Sequence, residues 1–137
     1  MPSAAFESLA GLPYFFAYFG LSLLLLTACL AVYVAITPYP EIRLIREGNA
    51  AAATTLAGVV VGFALPLASA VAHSVSLLDM LVWSILALVV QLLAYAVVRL
   101  AVPAIVRNVR DGQVASGIFL ASVAVAVGIL NAACMTY

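Results

Sequence analysis

Charge is scarce in this sequence. Charged residues make up 7% of its 137 residues and hydrophobic residues make up 68%, whereas ordinary soluble domains carry roughly 25% charged residues. Lysine is absent, and all five basic residues are arginines. This composition excludes an ordinary soluble domain. It predicts an integral membrane protein whose main partner is the lipid bilayer, and we expect no nucleic-acid partner.

Residues that carry chemistry are also few. His73 is the only histidine, and one histidine near one carboxylate does not make a metal site. Cys29 lies deep in an apolar segment and Cys134 at the end of another, too far apart for a disulfide within one chain. There is no Ser-His-Asp set, no glycine-rich phosphate loop and no carboxylate in the middle of a span. We therefore expect no enzyme, no cofactor and no metal site, and no proton-coupled carrier of the usual kind.

Long apolar runs dominate the chain. A helix needs about 20 residues to cross the roughly 30 Å hydrocarbon core, and backbone groups in lipid must be satisfied within the helix. Four segments are long enough, Tyr14–Ile36, Ala50–Ala72, Met80–Val102 and Val114–Cys134. The sequence thus predicts an all-α fold with four transmembrane helices, in a single domain of residues 1–137.

The arginines indicate how the helices are oriented. All of them lie at or within the connections between the first and second spans and between the third and fourth, namely Arg43, Arg46, Arg99, Arg107 and Arg110. Short loops rich in arginine stay in the cytoplasm. We expect both termini to be periplasmic or extracellular.

The segment from Arg43 to Asn49 recurs 64 positions later. The matching residues of the second copy are Arg107, Arg110, Asp111, Gly112 and Gln113. Because each half contains an even number of spans, both halves enter the membrane in the same direction. This pattern predicts two parallel helix-hairpin repeats, about 14–72 and about 78–136, related by a pseudo-twofold axis along the membrane normal.

Small residues are concentrated in two spans. Gly, Ala, Ser and Thr account for 14 of 23 residues in the second span and 10 of 21 in the fourth, against 7 of 23 in the first and 5 of 23 in the third. Close helix packing in membranes uses such residues. We expect the second and fourth helices to form the packed centre through Gly58, Gly62, Gly117 and Gly128, and the first and third to face lipid.

The polar residues near these helices have two interpretations each. Asn49 and Gln113 either cap the second and fourth helices or, with the free N–H groups of the helix start, hold an anion; capping alone explains the composition. Asn131, Gln91 and Thr54 either join helices by hydrogen bonds or contact a solute. Asn131 is expected to bond the backbone loosened by Pro66, or its own copy in a second subunit.

Two motifs resemble a known family. They are Glu47-Gly48-Asn49-Ala50-Ala51-Ala52 and Gly128-Ile129-Leu130-Asn131-Ala132-Ala133-Cys134-Met135. Together they resemble the bacterial inner-membrane family called domain of unknown function 350, over nearly the whole chain. The resemblance implies a plasma-membrane location and four helices, and implies no established activity or catalytic residues.

Two functional hypotheses follow. The first is a homodimer or higher homo-oligomer that forms a small-solute or ion pathway lined by the second and fourth helices. The alternative is a non-conducting scaffold whose cytoplasmic turns, carrying Arg43, Arg46, Arg107 and Arg110, dock a partner protein or anionic lipid.

Overall fold

The structure, a computed structural model, describes residues 2–135, and every regular element within them is a helix. The helices are α1 (Pro2–Ala10), α2 (Leu12–Ile36), α3 (Glu41–Arg46), α4 (Ala50–His73), α5 (Leu77–Ala101), α6 (Ile105–Arg110) and α7 (Val114–Ala133). Four helices, α2, α4, α5 and α7, are long and apolar enough to cross a membrane. The predicted four-helix membrane fold is confirmed, with span ends within three residues of the predicted ones. Helix α1 lies before the predicted spans, and the first apolar stretch extends from Ser3 through α1 and α2.

Short helices connect the spans at one end of the bundle. The segment Thr37–Pro40 ends α2, since its two prolines cannot continue a helix. Helix α3 follows and leads to Gly48, which has a φ of +86°. Glycine adopts such a positive φ readily because it has no Cβ atom. Helix α6 leads to Gly112, whose φ is +84°. We call this side of the bundle, where α3 and α6 lie, the α3/α6 end.

Glycines allow α4 and α7 to pack backbone against backbone. A Cβ atom at Gly62 would lie 2.5 Å from the Ala124 carbonyl oxygen, and one at Gly117 would lie 2.5 Å from the Ala51 oxygen. A Cβ at Gly58 would clash with the backbone of Ala121. The residues predicted for close helix packing therefore meet along one continuous contact, which we call the α4–α7 seam.

Burial differs between the two helices of the seam. In α4, 44% of the most apolar stretch is buried, against 17% in α7, 22% in α5 and 11% in α2. Helix α7 lies against α4 on one side and exposes Ile118, Ser122 and Ile129 on the other. Helices α4 and α7 pack together as expected, but α7 has one free face in a single chain, so it is buried no more than α5.

Candidate functional site

Glu41 is the most unusual residue of the interior. It is the first residue of α3, and its side chain is 0% exposed. Helix α3 buries Glu41 and Leu44 on one face and exposes Ile42 and Arg43 on the other. Charged residues that alternate with Ile42, Leu44 and Ile45 are typical of a short amphipathic turn at the membrane surface. The turn is present, but the glutamate lies on its buried face and not among the surface charges.

Three tyrosines from different parts of the chain lie near this glutamate, Tyr33 and Tyr39 close to its carboxyl group and Tyr95 within reach of its charge. Tyr33 comes from α2, Tyr39 from the link before α3, and Tyr95 from α5. Tyr33 and Tyr39 are 2% and 3% exposed. The rings of Tyr33 and Tyr95 pack edge to face, with centroids 5.4 Å apart and an interplanar angle of 76°. We call Tyr33, Tyr39, Glu41 and Tyr95 the Glu41 cluster.

The polar atoms of the Glu41 cluster lack well-aligned hydrogen bonds. Within residues 2–135, neither Glu41 carboxylate oxygen has a hydrogen bond of regular geometry, and neither do the hydroxyls of Tyr33, Tyr39 and Tyr95. The hydroxyls of Tyr39 and Tyr33 nevertheless lie close enough to interact with the carboxyl group. Buried polar groups are nearly always paired, because an unpaired one costs free energy. Five buried oxygens without a well-aligned hydrogen bond, gathered in one cluster, therefore indicate a site and not ordinary packing.

Burial without a countercharge changes the acidity of this site. Desolvation raises the pKa of Glu41 from 4.5 to about 7, while the hydroxyls of Tyr39 and Tyr33 lower it in part. Burial also raises the pKa of the Tyr39 hydroxyl, and the charge of Glu41 adds to that effect. No ion pair to Glu41 is found among the described residues. The Glu41 carboxyl group can therefore gain and lose a proton near neutral pH.

A small cavity lies beside the cluster. Its volume is about 20 Å³, enough for one water molecule, which needs roughly 10–15 Å³ on the same measure. The cavity is lined by Tyr33, Thr55, Val59, Phe63, Gln91, Ala94, Tyr95, Val98, Leu120, Val123 and Ala124. Tyr95 also lines an open groove on the bundle surface beside Arg99. Its ring therefore separates the surface groove from the buried cavity.

Gln91 joins three helices at the wall of this cavity. Its Nε2 donates to the Gly62 carbonyl oxygen at 2.7 Å and to the Ala124 oxygen at 3.3 Å. In a regular helix the Gly62 oxygen would accept from the backbone N–H of residue 66, but Pro66 has none. The Gln91 amide replaces that missing donor, so a side chain of α5 completes the hydrogen bonding of the α4 backbone.

Asn131 does not have the contact expected of it. Its Nδ2 donates to the Ala87 oxygen of α5 at 3.4 Å, and Gln91 takes the carbonyl freed by Pro66. The expected bond to the backbone near Pro66 is therefore wrong, and the alternative bond to Asn131 of a second subunit stays a prediction. Thr54 donates to the Ala50 oxygen of its own helix at 2.7 Å.

The two predicted cap residues differ in their contacts. The Asn49 side chain accepts from the Ala52 N–H at 3.0 Å, and its Nδ2 donates to the Val109 and Arg110 carbonyl oxygens at 3.0 and 3.1 Å. Asn49 thus caps α4 and also binds the end of α6. Gln113 occupies the N-cap position of α7 without a side-chain cap bond, so the two turns are not chemically equivalent.

The arginines of α3 and α6 lie on the surface, where Arg43 Nε and Glu47 Oε1 are 3.7 Å apart. Arg110 also donates to the Pro38 carbonyl oxygen at 3.1 Å. Among the described residues, no group of three or more His, Cys, Asp or Glu side chains could hold a metal ion. Cys29 and Cys134 are both free, the first buried and the second exposed.

Sequence reasoning placed Gln91 and Asn49 among the candidate residues and missed the Glu41 cluster. The sequence contains one weak indication that Glu41 is buried. Glu41 and Leu44 are three positions apart, so a helix starting after Pro40 puts both on one face. An acidic residue that shares a face with leucine, next to a tyrosine between two prolines, is not a typical surface charge.

Comparisons with known proteins agree on the family. The model of the family described as Domain of Unknown Function (DUF350) matches residues 7–135. The chain is 41% identical over 123 residues to the UPF0719 inner membrane protein YjfL of Escherichia coli strain K12, and equally to that of Escherichia coli O157:H7. The alignment covers 90% of this chain and 93% of the relative. No solved structure matches significantly. The resemblance seen in the sequence is confirmed, and this chain belongs to the DUF350 family.

Proposed function

We propose that the protein is a homo-oligomer that forms a pathway for a small solute or ion across the bacterial inner membrane. The name of the Escherichia coli relative states an inner-membrane location for that protein. The five arginines favour a cytoplasmic position for the α3/α6 end and a periplasmic position for both termini. In this orientation the Glu41 cluster lies at the cytoplasmic side.

Two parallel repeats are part of this proposal. The turns after α3 and α6 support it, because Gly48 and Gly112 have φ of 86° and 84° and the helices that follow start 64 residues apart. The position that matches Glu41 in the second half is Ile105, which is 2% exposed and apolar. The carboxylate is therefore present in only the first repeat. At the equivalent position of the second repeat the buried side chain is isoleucine, which shows that packing does not require a carboxylate there.

The buried Glu41 carboxylate, which has no ion pair among the described residues, is the observation that carries the proposal. Ionisable groups in membrane proteins are costly, and they commonly mark the path of a substrate, ion or proton. Glu41 lies outside the spans, so it differs from the mid-membrane group that the sequence lacks. With a pKa near 7 it can exchange a proton or bind a cation at cytoplasmic pH.

The cavity beside the cluster supports a route on one side of the α4–α7 seam. Glycines close the seam itself to solvent, since backbone atoms of α4 and α7 are in contact there. Helices α4 and α7 still supply much of the cavity wall, and α5 adds Gln91 and Tyr95. The route we propose therefore passes between the seam and the flanking helices α2 and α5, starting at the Glu41 cluster.

Flux through liposomes tests the proposal. Purified protein is reconstituted with a pH-sensitive or cation-sensitive dye inside, and flux is followed after a jump in proton or salt gradient. Glu41→Gln keeps the shape of the side chain and removes its charge, so we expect at least a tenfold slower flux. Glu47→Gln is the matched control, because Glu47 lies at the other end of α3 and its side chain is exposed. Vesicles as tight as protein-free ones, or equal rates for the two variants, would refute the pathway.

The free face of α7 supports the homo-oligomer. Ala121, Ser122 and Ala126 border a shallow groove on this face, and small residues on such a face allow a second helix to approach closely. Sedimentation in detergent measures the oligomeric state. A bulky substitution, Ser122→Trp, should favour the monomer, whereas a wild-type monomer at all concentrations would contradict this part of the proposal.

A scaffold is the second candidate, favoured by the surface of α3 and α6. Four exposed arginines lie on these two short helices, Arg43, Arg46, Arg107 and Arg110. Such a surface can bind acidic protein segments or anionic lipid headgroups. Replacing the four arginines by glutamine should abolish recovery of a partner or binding to anionic vesicles. Topology must be measured in parallel, because these residues also determine orientation.

A further inference from the structure

We propose that the Glu41 cluster binds one small monovalent cation, held by the Glu41 carboxylate and the hydroxyl oxygens of Tyr33, Tyr39 and Tyr95. This inference rests on the proposed pathway, because it names the class of species that the pathway takes up.

The charge of the site favours a cation of charge +1. Glu41 is fully buried and contributes one negative charge. None of the neighbouring cationic groups neutralises it. On α3, Arg43 is exposed and pairs with Glu47, and Arg46 is exposed. Within the described chain, α2 carries no basic residue, and the only histidine of α4 is at its far end.

The basic groups of the other packed helices that the structure describes make no ion pair with Glu41 either. Arg99 of α5 is exposed and lies close enough to act on Tyr95, and Arg107 of α6 is exposed. Arg110 of α6 is exposed and donates to the Pro38 carbonyl oxygen. A buried carboxylate without a countercharge is unfavourable when ionised, and one monovalent cation removes that penalty.

The donor atoms favour a hard cation. The five polar atoms of the cluster are all oxygens, the ligand type preferred by alkali and alkaline-earth ions over softer metals. Calcium and magnesium sites usually contain more than one carboxylate, or several backbone carbonyls and waters. A single carboxylate with three neutral hydroxyls therefore matches Na⁺, K⁺ or NH₄⁺ better than a divalent ion.

A small cavity adjoins the proposed site. It borders Tyr33 and Tyr95 but not Glu41 or Tyr39, and its volume of about 20 Å³ has room for one water molecule next to the cation. A proton competes for the same carboxylate, because the pKa of Glu41 lies at about 7. Cation binding should therefore strengthen as pH rises from 6 to 8.

Thermal unfolding in detergent tests the site directly. The protein is purified in choline chloride, and choline is replaced stepwise by NaCl, KCl or NH₄Cl at constant ionic strength and pH 8. A ligand that binds only the folded state raises the unfolding temperature with its concentration. We expect one of these cations to raise Tm by several degrees in the wild type and in Glu47→Gln. Glu41→Gln should show no shift.

A second variant keeps the test valid if Glu41→Gln folds poorly. Tyr95→Phe removes one hydroxyl and retains both the ring packing and the carboxylate, and it should weaken the cation response at least threefold in midpoint concentration. Equal cation responses in the wild type and in a folded Glu41→Gln would overturn the inference. So would a wild type that responds to none of the three cations.

The failure of this inference and the failure of the pathway give different results. If no cation shifts Tm but flux still depends on Glu41, the cation site is refuted and the pathway stands, with the proton as the exchanged species. If a cation shifts Tm through Glu41 but liposomes stay tight, the site stands and the pathway is refuted.

Discussion

Gln91 and Pro66 should be energetically coupled. The Gln91 amide donates at 2.7 Å to the Gly62 carbonyl oxygen, which lost its helical partner because residue 66 is proline. Replacing Gln91 by methionine keeps the shape of the side chain and removes the donor. The Gly62 oxygen is then buried without a partner. Replacing Pro66 by alanine supplies a backbone N–H to the same oxygen and removes the need for Gln91.

The size of this coupling follows from the two hydrogen bonds. A buried acceptor left without a partner costs about 1–3 kcal/mol, and interhelical hydrogen bonds in membrane proteins contribute roughly 0.6 kcal/mol on average and up to about 1.7. We expect Gln91→Met to lower the free energy of unfolding by about 1–2 kcal/mol. In the Pro66→Ala background the cost should fall by about 1 kcal/mol, because the bond to Ala124 is then the main one lost.

Unfolding in mixed micelles, followed by circular dichroism, measures all four proteins of this double-mutant cycle. Asn131→Leu is the control, since its bond to the Ala87 oxygen is long, at 3.4 Å, and it should show no coupling to Pro66→Ala. Costs of Gln91→Met that agree within about 0.5 kcal/mol in the two backgrounds would show that Gln91 does not replace the missing N–H donor.

Three further predictions concern the seam, the turns and the buried carboxylate. Gly58→Ala should destabilise the fold by about 1–3 kcal/mol through overpacking against α7, whereas Gly20→Ala, with no atom within 4 Å of the new methyl group, should not; detergent unfolding compares the pair. Asn49→Ala should cost about 1–2 kcal/mol because it loses the cap and two bonds to α6, while Gln113→Ala should cost less than about 0.5 kcal/mol. Because the folded-state pKa of Glu41 is raised from 4.5 to about 7, stability should fall as pH rises through this window and level off above it, by at most roughly 3 kcal/mol, and Glu41→Gln should flatten the curve. A pH titration of stability that is identical in that variant would contradict the burial of an unpaired carboxylate.

The helices and their closest contact could be predicted because they depend on local composition. Apolar length alone places the spans, and the four-residue spacing of Gly58 and Gly62 predicts a close helix contact. The turn at Gly48 was also predictable, because glycine followed by asparagine suits a bend and a helix cap.

The Glu41 cluster depends on packing between distant segments and could not be predicted in the same way. Tyr33 and Tyr95 are separated by more than 60 residues, and only the arrangement of α2 against α5 brings their rings together. The partner of Gln91 also depends on the direction in which the Gly62 carbonyl faces. Such directions are set by helix rotation, on which a largely apolar sequence places few constraints.

The α4–α7 seam can form only after α7, the last helix, has been synthesised and inserted. Helix α4 ends about 40 residues before α7 begins, yet Gly58 and Gly62 on one face of α4 pack against the backbone of α7. During insertion this narrow face meets lipid or the insertion machinery until the last helix enters. Truncation after α5 should therefore leave a protein that is inserted but unstable and is degraded by membrane proteases. The helix recognised by quality control would then be α4, which is correctly synthesised but lacks its packing partner.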